Sequence, residues 1–122
     1  MRHRNKKVIL NRPADQRKAL IRNLLTSLFL YGKVKTTEAK AKFLKSQADR
    51  LITKVKKKDN YNAIRELKKI IFTKEASEKA LKYAKDTSKS SGFTRNTKLG
   101  YRAGDSAILV QVELINSSEK EA

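Results

Sequence analysis

Gly92-Phe93-Thr94-Arg95-Asn96-Thr97-Lys98-Leu99-Gly100, followed after a short loop by Ala107-Ile108-Leu109-Val110-Gln111-Val112-Glu113-Leu114-Ile115, is the stretch that decides the fold. Residue character alternates along both segments. Phe93, Arg95, Thr97 and Leu99 fall on one side of the first, and Ile108, Val110, Val112 and Leu114 on one side of the second. A period of two is that of a strand with one face buried. The intervening Gly100-Tyr101-Arg102-Ala103-Gly104-Asp105-Ser106 has two glycines and a Gly-Asp turn pair. It reads as a hairpin loop that holds Arg102 out near Arg95 and Lys98.

Upstream the period changes to that of a helix. Pro13 marks the start of a first helix from Ala14 to about Tyr31, with Leu20, Leu24, Leu28 and Tyr31 as its stripe, widened by Ile21 and Leu25. Gly32 can take the left-handed conformation that ends it. Lys33-Val34-Lys35-Thr36 alternates briefly, which makes Val34 a candidate third strand, and Thr37 is placed to cap the next helix with its hydroxyl. That helix is the clearest: Ala41, Leu44, Ala48, Leu51 and Val55 recur every three or four residues, and Lys56-Lys57-Lys58 closes it. Asp59 or Asn60 starts a helix through Ile64, Leu67, Ile70 and Ile71, and Thr73 caps a shorter one with Ala80, Leu81 and Ala84. The pattern predicts an α+β class fold: one small domain over residues 13–115, about four helices packed on a small mixed sheet. Residues 1–12 read as a basic extended N-terminal arm, and residues 116–122 as a flexible tail.

Composition narrows the function. The chain has 122 residues, 30 Lys and Arg against 12 Asp and Glu, and a formal charge of +18. Half of that surplus lies between Met1 and Lys35, where ten cations face the single acid Asp15. Self-repulsion on this scale opposes folding, so the charge points to a polyanionic partner, with nucleic acid the commonest. The absence of Cys removes disulfides, thiolate metal sites and cysteine nucleophiles together. With no signal-type or spanning apolar run, the expected location is the cytoplasm.

Catalysis finds no support in the residues. His3 is the only histidine and lies in the arm, without companions for a triad or a metal. Gly32-Lys33 lacks the upstream glycine and following hydroxyl of a phosphate loop. The acids are scattered, with no cluster to hold magnesium. No enzyme and no cofactor, metal or small-molecule substrate is therefore expected. Membrane binding is disfavoured because the apolar stripes are needed to cover one another and the sheet. The first two helices lack the tight join of a helix-turn-helix, which leaves structured RNA as the favoured partner and a DNA-binding architectural, nucleoid-type role as the alternative.

A resemblance sharpens this. Met1-Arg2-His3-Arg4, Leu10-Asn11-Arg12, Arg17-Lys18-Ala19-Leu20, Arg22-Asn23-Leu24, Thr26-Ser27-Leu28, Thr36-Thr37-Glu38-Ala39-Lys40-Ala41-Lys42 and Leu51-Ile52-Thr53 resemble, in order, the bacterial large-subunit ribosomal protein seventeen family. The likeness resumes at Gly92-Phe93-Thr94-Arg95, Lys98-Leu99-Gly100, Arg102, Gly104-Asp105, Ala107 and Glu113-Leu114, whereas Lys54 to Ser91 is similar only in helical character. Gln16, Phe43, Lys45 and Ile108-Leu109 depart from the family's usual residues. The resemblance implies a structural constituent of the large ribosomal subunit that binds and stabilises 23S-class ribosomal RNA on the solvent side toward the polypeptide exit, with other large-subunit proteins as neighbours.

Three RNA-facing surfaces are expected. Arg2, His3, Arg4, Lys6 and Lys7 of the arm continue into Arg12, Arg17, Lys18 and Arg22 on the first helix. Thr36, Thr37, Lys40 and Lys42 form a second corner, and Arg95, Lys98 and Arg102 a third at the hairpin.

Overall fold

The computed structural model describes His3, residues 9–88 and residues 90–115. Arg2, Arg4, Lys6 and Lys7, with the tail from 116 to 122, lie outside the described residues. Among the described residues, four helices and three strands follow in the order α1 (Ala14–Tyr31), β1 (Lys33–Thr37), α2 (Glu38–Lys57), α3 (Asn60–Ile70), α4 (Lys74–Asp86), β2 (Thr94–Tyr101) and β3 (Ile108–Leu114). The α+β expectation holds. The sheet, expected to be mixed, is antiparallel in both pairings, with β3 between β1 and β2. β2 and β3 are a hairpin and so run in opposite directions. β1 pairs with the other edge of β3 after the helices have returned the chain, and it too runs opposite to β3.

α2 is the central helix. Ala41, Leu44, Ala48, Leu51, Ile52 and Val55 are all buried, on the stripe the periodicity marks. One face of the sheet, with Val110 and Val112 at its centre, packs under α2, while Phe93 is fully buried just ahead of β2. Phe93 therefore does not share the outward row of Arg95 and Thr97: the chain turns at Gly92 (φ +68°) and plugs the core before the alternation starts. α4 buries only alanines, Ala76, Ala80 and Ala84, and small side chains let it lie close against α1, α2 and α3.

The helix ends show which local expectations hold. Gly32 has φ +81° and its N–H donates to Leu28 O at 2.7 Å, the left-handed stop. Asp59 and Thr73 cap α3 and α4, accepting from Asn62 N and Ala76 N, 3.3 and 3.2 Å away. Thr37 has the extended backbone of a capping residue but its side chain accepts no such bond, because its main chain is already committed to β1 and the strand runs straight into α2. The α1 stripe is rotated from its expected phase. Leu25, Leu28 and Phe29 are buried, whereas Tyr31 is 72% exposed, since the core lies toward α4 and β1. Ile64 is likewise exposed on α3, where Ala63 and Leu67 face inward.

Buried polar groups join the layers. The Thr26 hydroxyl donates to Arg22 O at 2.7 Å and accepts from Phe72 N at 3.2 Å, linking α1 to the α3–α4 connection. Tyr83 on α4 donates its hydroxyl to Phe93 O at 3.1 Å and also meets Ile115 O, which fastens the open end of the hairpin to the helices.

Candidate nucleic-acid interface

The register of the sheet merges two of the three expected surfaces. Thr37 pairs with Leu109 and Leu109 with Gly100, while Thr36 and Lys98 flank Val110 on either side. The N-terminal end of α2, with Lys40 and Lys42, therefore stands at the same end of the sheet as the hairpin loop with Arg102. A bulge between Lys98 and Gly100 bends β2 there, so that Lys98, Leu99 and Tyr101 are exposed beyond the helical cover.

Two arginines of this surface are held by carboxylates. Arg95 donates from Nε and Nη2 to Glu113 Oε1, 2.9 and 2.6 Å away, directly across the β2–β3 pair. Lys33 faces Glu113 from the other strand, so one acid lies between two cations in a single row. Arg102 forks onto Asp105 at 3.1 and 2.5 Å. Asp105 also accepts from Ala107 N at 3.2 Å, and the loop closes through Arg102 N to Ala107 O at 2.7 Å. The Arg102 guanidinium, aided by the Ala107 N–H, holds the Asp105 carboxyl down at about 2, and the carboxylate in turn raises Arg102. Each fork fixes a guanidinium that has further N–H donors, so the cations are oriented before any ligand arrives.

The α1 cations form a separate surface on the helical side. Arg12 donates to Leu10 O at 3.4 Å and Arg17 to Arg12 O at 3.3 Å, tying the start of α1 together, while Lys18 is exposed. Arg22 is largely internal. Its Nε donates to Ile70 O at 2.8 Å and its guanidinium lies 4.0 Å from the Phe72 ring centroid, so it joins α1 to α3 as well as lining the surface. Lys42 pairs with Glu38 one turn back at 3.6 Å. His3 is exposed.

Sequence reading passed over several cations. Lys33 and Lys35 alternate with Val34 and lie on the uncovered face of the sheet, in the rows of Arg95 and Thr97. Their alternation was legible, but not the strand that they would join. Arg50, Lys54 and Lys69 come together between helices, and no local motif marks them. Among the described residues no group of three or more potential metal ligands exists, and no helix is long and apolar enough to cross a membrane.

Comparison with known proteins gives this architecture a family. The family profile described as Ribosomal protein L17 matches residues 20–115, from the first turns of α1 to the end of the sheet. A large ribosomal subunit protein bL17 from Desulforapulum autotrophicum is 44% identical over 117 residues, covering 94% of this chain and 97% of the relative. The protein of the same name from Clostridium botulinum is 43% identical, covering 87% of this chain and 95% of its own length. That from Chloroflexus aurantiacus is 39% identical and is covered in full. The chain belongs to the ribosomal protein L17 family.

Proposed function

We propose that this protein is built into the large ribosomal subunit in the bacterial cytoplasm and binds and stabilises its 23S-class RNA, with neighbouring ribosomal proteins around it. It is a structural protein and not an enzyme, as its family is. One observation carries the RNA reading: cations outnumber acids 30 to 12, and seven of those acids are already engaged within the fold. Glu38, Glu66, Glu75, Asp105 and Glu113 are ion-paired within the fold, and Asp49 and Asp59 accept backbone N–H groups. Intramolecular pairing therefore cannot absorb a surplus of 18 positive charges, and phosphate is the counter-charge that suits forked arginines.

The rigid domain would present the hairpin end, with Arg95, Lys98, Arg102, Thr36, Thr37, Lys40 and Lys42, to one stretch of RNA backbone. Arg12, Arg17, Lys18 and Arg22 would contact a second, continued by Arg2, His3, Arg4, Lys6 and Lys7 of the arm. These contacts set position and orientation; they do not read bases. No observation favours the DNA-compacting alternative.

The test is quantitative mass spectrometry of the chain across a sucrose gradient of lysate, repeated on large-subunit fractions after a high-salt wash. One copy per large subunit that survives the wash is the expected result. Sedimentation apart from ribosomes would overturn the proposal. In isolation, if about six phosphates are neutralised, affinity for 23S RNA fragments should fall roughly a thousandfold between 50 and 200 mM salt.

A further inference from the structure

Between α1, α2 and the end of α3 lies a cleft of about 460 Å³, within the range of roughly 300–1,000 Å³ typical of small-ligand pockets. It is lined by the cations Lys18, Arg22, Arg50, Lys54 and Lys69, by Gln47 and by no acid, over an aliphatic floor of Ile21, Leu25, Leu51 and Ile70. Three of these cations, Arg50, Lys54 and Lys69, belong to none of the three surfaces expected from the sequence. The side chains of Lys18 and Arg50 make no hydrogen bond or ion pair with any described residue. Lys54 and Lys69 are steadied from behind by Glu66, at 4.0 and 3.4 Å. Arg22 stands in the wall as a flat cation, fixed by Ile70 O and the Phe72 ring.

We infer that this cleft takes an unpaired nucleotide of RNA, its base on the aliphatic floor and the wall of Arg22, its flanking phosphates on Lys18, Arg50, Lys54 and Lys69. The inference rests on the RNA-binding reading and goes beyond it in the kind of RNA required. A cationic rim alone would suit any phosphate backbone. A rim around an apolar floor is matched by a ligand that is charged at its edge and flat and weakly polar at its centre. An unstacked nucleotide has that form, whereas the bases of an A-form duplex are shut inside the helix.

The test uses the full chain and fluorescence anisotropy with three probes of equal length: single-stranded oligoadenylate, the same backbone without bases, and a duplex. The base-containing single strand should bind at least about fivefold more tightly than the abasic strand, the low end of one base stacking. The Arg50→Ala, Lys54→Ala, Lys69→Ala variant should lose that preference and lower the salt slope by about 2, at unchanged circular dichroism. Lys54→Arg with Lys69→Arg should keep both. Equal binding of abasic and base-containing strands, a preference for duplex, or an unaltered triple variant would each overturn the inference. If wild type binds 23S fragments tightly while the triple variant is unaltered, the cleft assignment alone fails; if wild type binds no RNA, the broader proposal fails with it.

Discussion

The Asp49 carboxylate on α2 accepts the backbone N–H of Phe93 at 3.2 Å, so the central helix holds the chain at the point where it becomes β2. The same Oδ1 accepts from Thr94 Oγ1 at 3.4 Å. Phe93 is fully buried and Thr94 nearly so, and neither group has access to solvent in place of the carboxylate.

Asp49→Ala should therefore leave a buried amide and hydroxyl without their acceptor and destabilise the domain by about 1–3 kcal/mol. Asp49→Asn keeps an oxygen there and should cost less. Urea unfolding monitored by circular dichroism checks both; an alanine variant with an unchanged midpoint would show that the contact does not anchor the hairpin.

Gly32 ends α1 at φ +81°, and a Cβ built there meets nothing within 4 Å. Strain in the backbone is then the whole penalty, with no clash to add to it. Gly32→Ala should lower stability by about 1 kcal/mol, and Gly32→Asn by less, since Asn tolerates this region better. A thermal melt distinguishes them, and a loss of several kcal/mol would mean that the turn into β1 had rearranged.

β3 and α2 were legible in the sequence because they are periodic and their burial is one-sided. Ala41, Leu44, Ala48, Leu51 and Val55 needed no knowledge of their neighbours to be assigned to the core. What escaped depends on partners distant in the chain. Tyr31 looks apolar and in phase, yet the direction of the core seen from α1 is set by α4, some fifty residues on. Asp49 is only one of the scattered acids in the sequence, because nothing local shows that β2 begins beside it. Among candidate site residues, Arg95, Lys98 and Arg102 are neighbours in sequence and were found together. Arg50, Lys54 and Lys69 meet only after α2 and α3 fold against α1.

Asp105 gives the fold a measurable acid signature. Its carboxyl titrates at about 2, below its ordinary 3.8, mainly because Arg102 hydrogen-bonds the charged form. A lowered folded value means that the stabilising contribution is present above the ordinary range and is lost as pH falls through about 2. NMR titration of the Asp105 carboxyl should find that midpoint, and Arg102→Ala should return it toward 3.8. A midpoint unaffected by the substitution would show that the fork is absent in solution.

The two ends of the chain's basic surface should separate binding from folding. Arg95, Lys98 and Arg102 are exposed, and the carboxylate partners of Arg95 and Arg102 lie at or near the surface, so the triple change to alanine removes charge without opening the core. Surface ion pairs of this kind contribute about 0–1 kcal/mol each. The triple variant should keep its helical circular dichroism and melt within a few degrees of wild type, yet enter large subunits poorly in a competition with the wild-type chain. Deleting residues 1–7 should behave in the same way, because the first buried residue of the described chain is Leu25. Normal incorporation of the triple variant would remove the hairpin from the RNA surface, and loss of folding on deletion would give the N-terminal segment a part in the core.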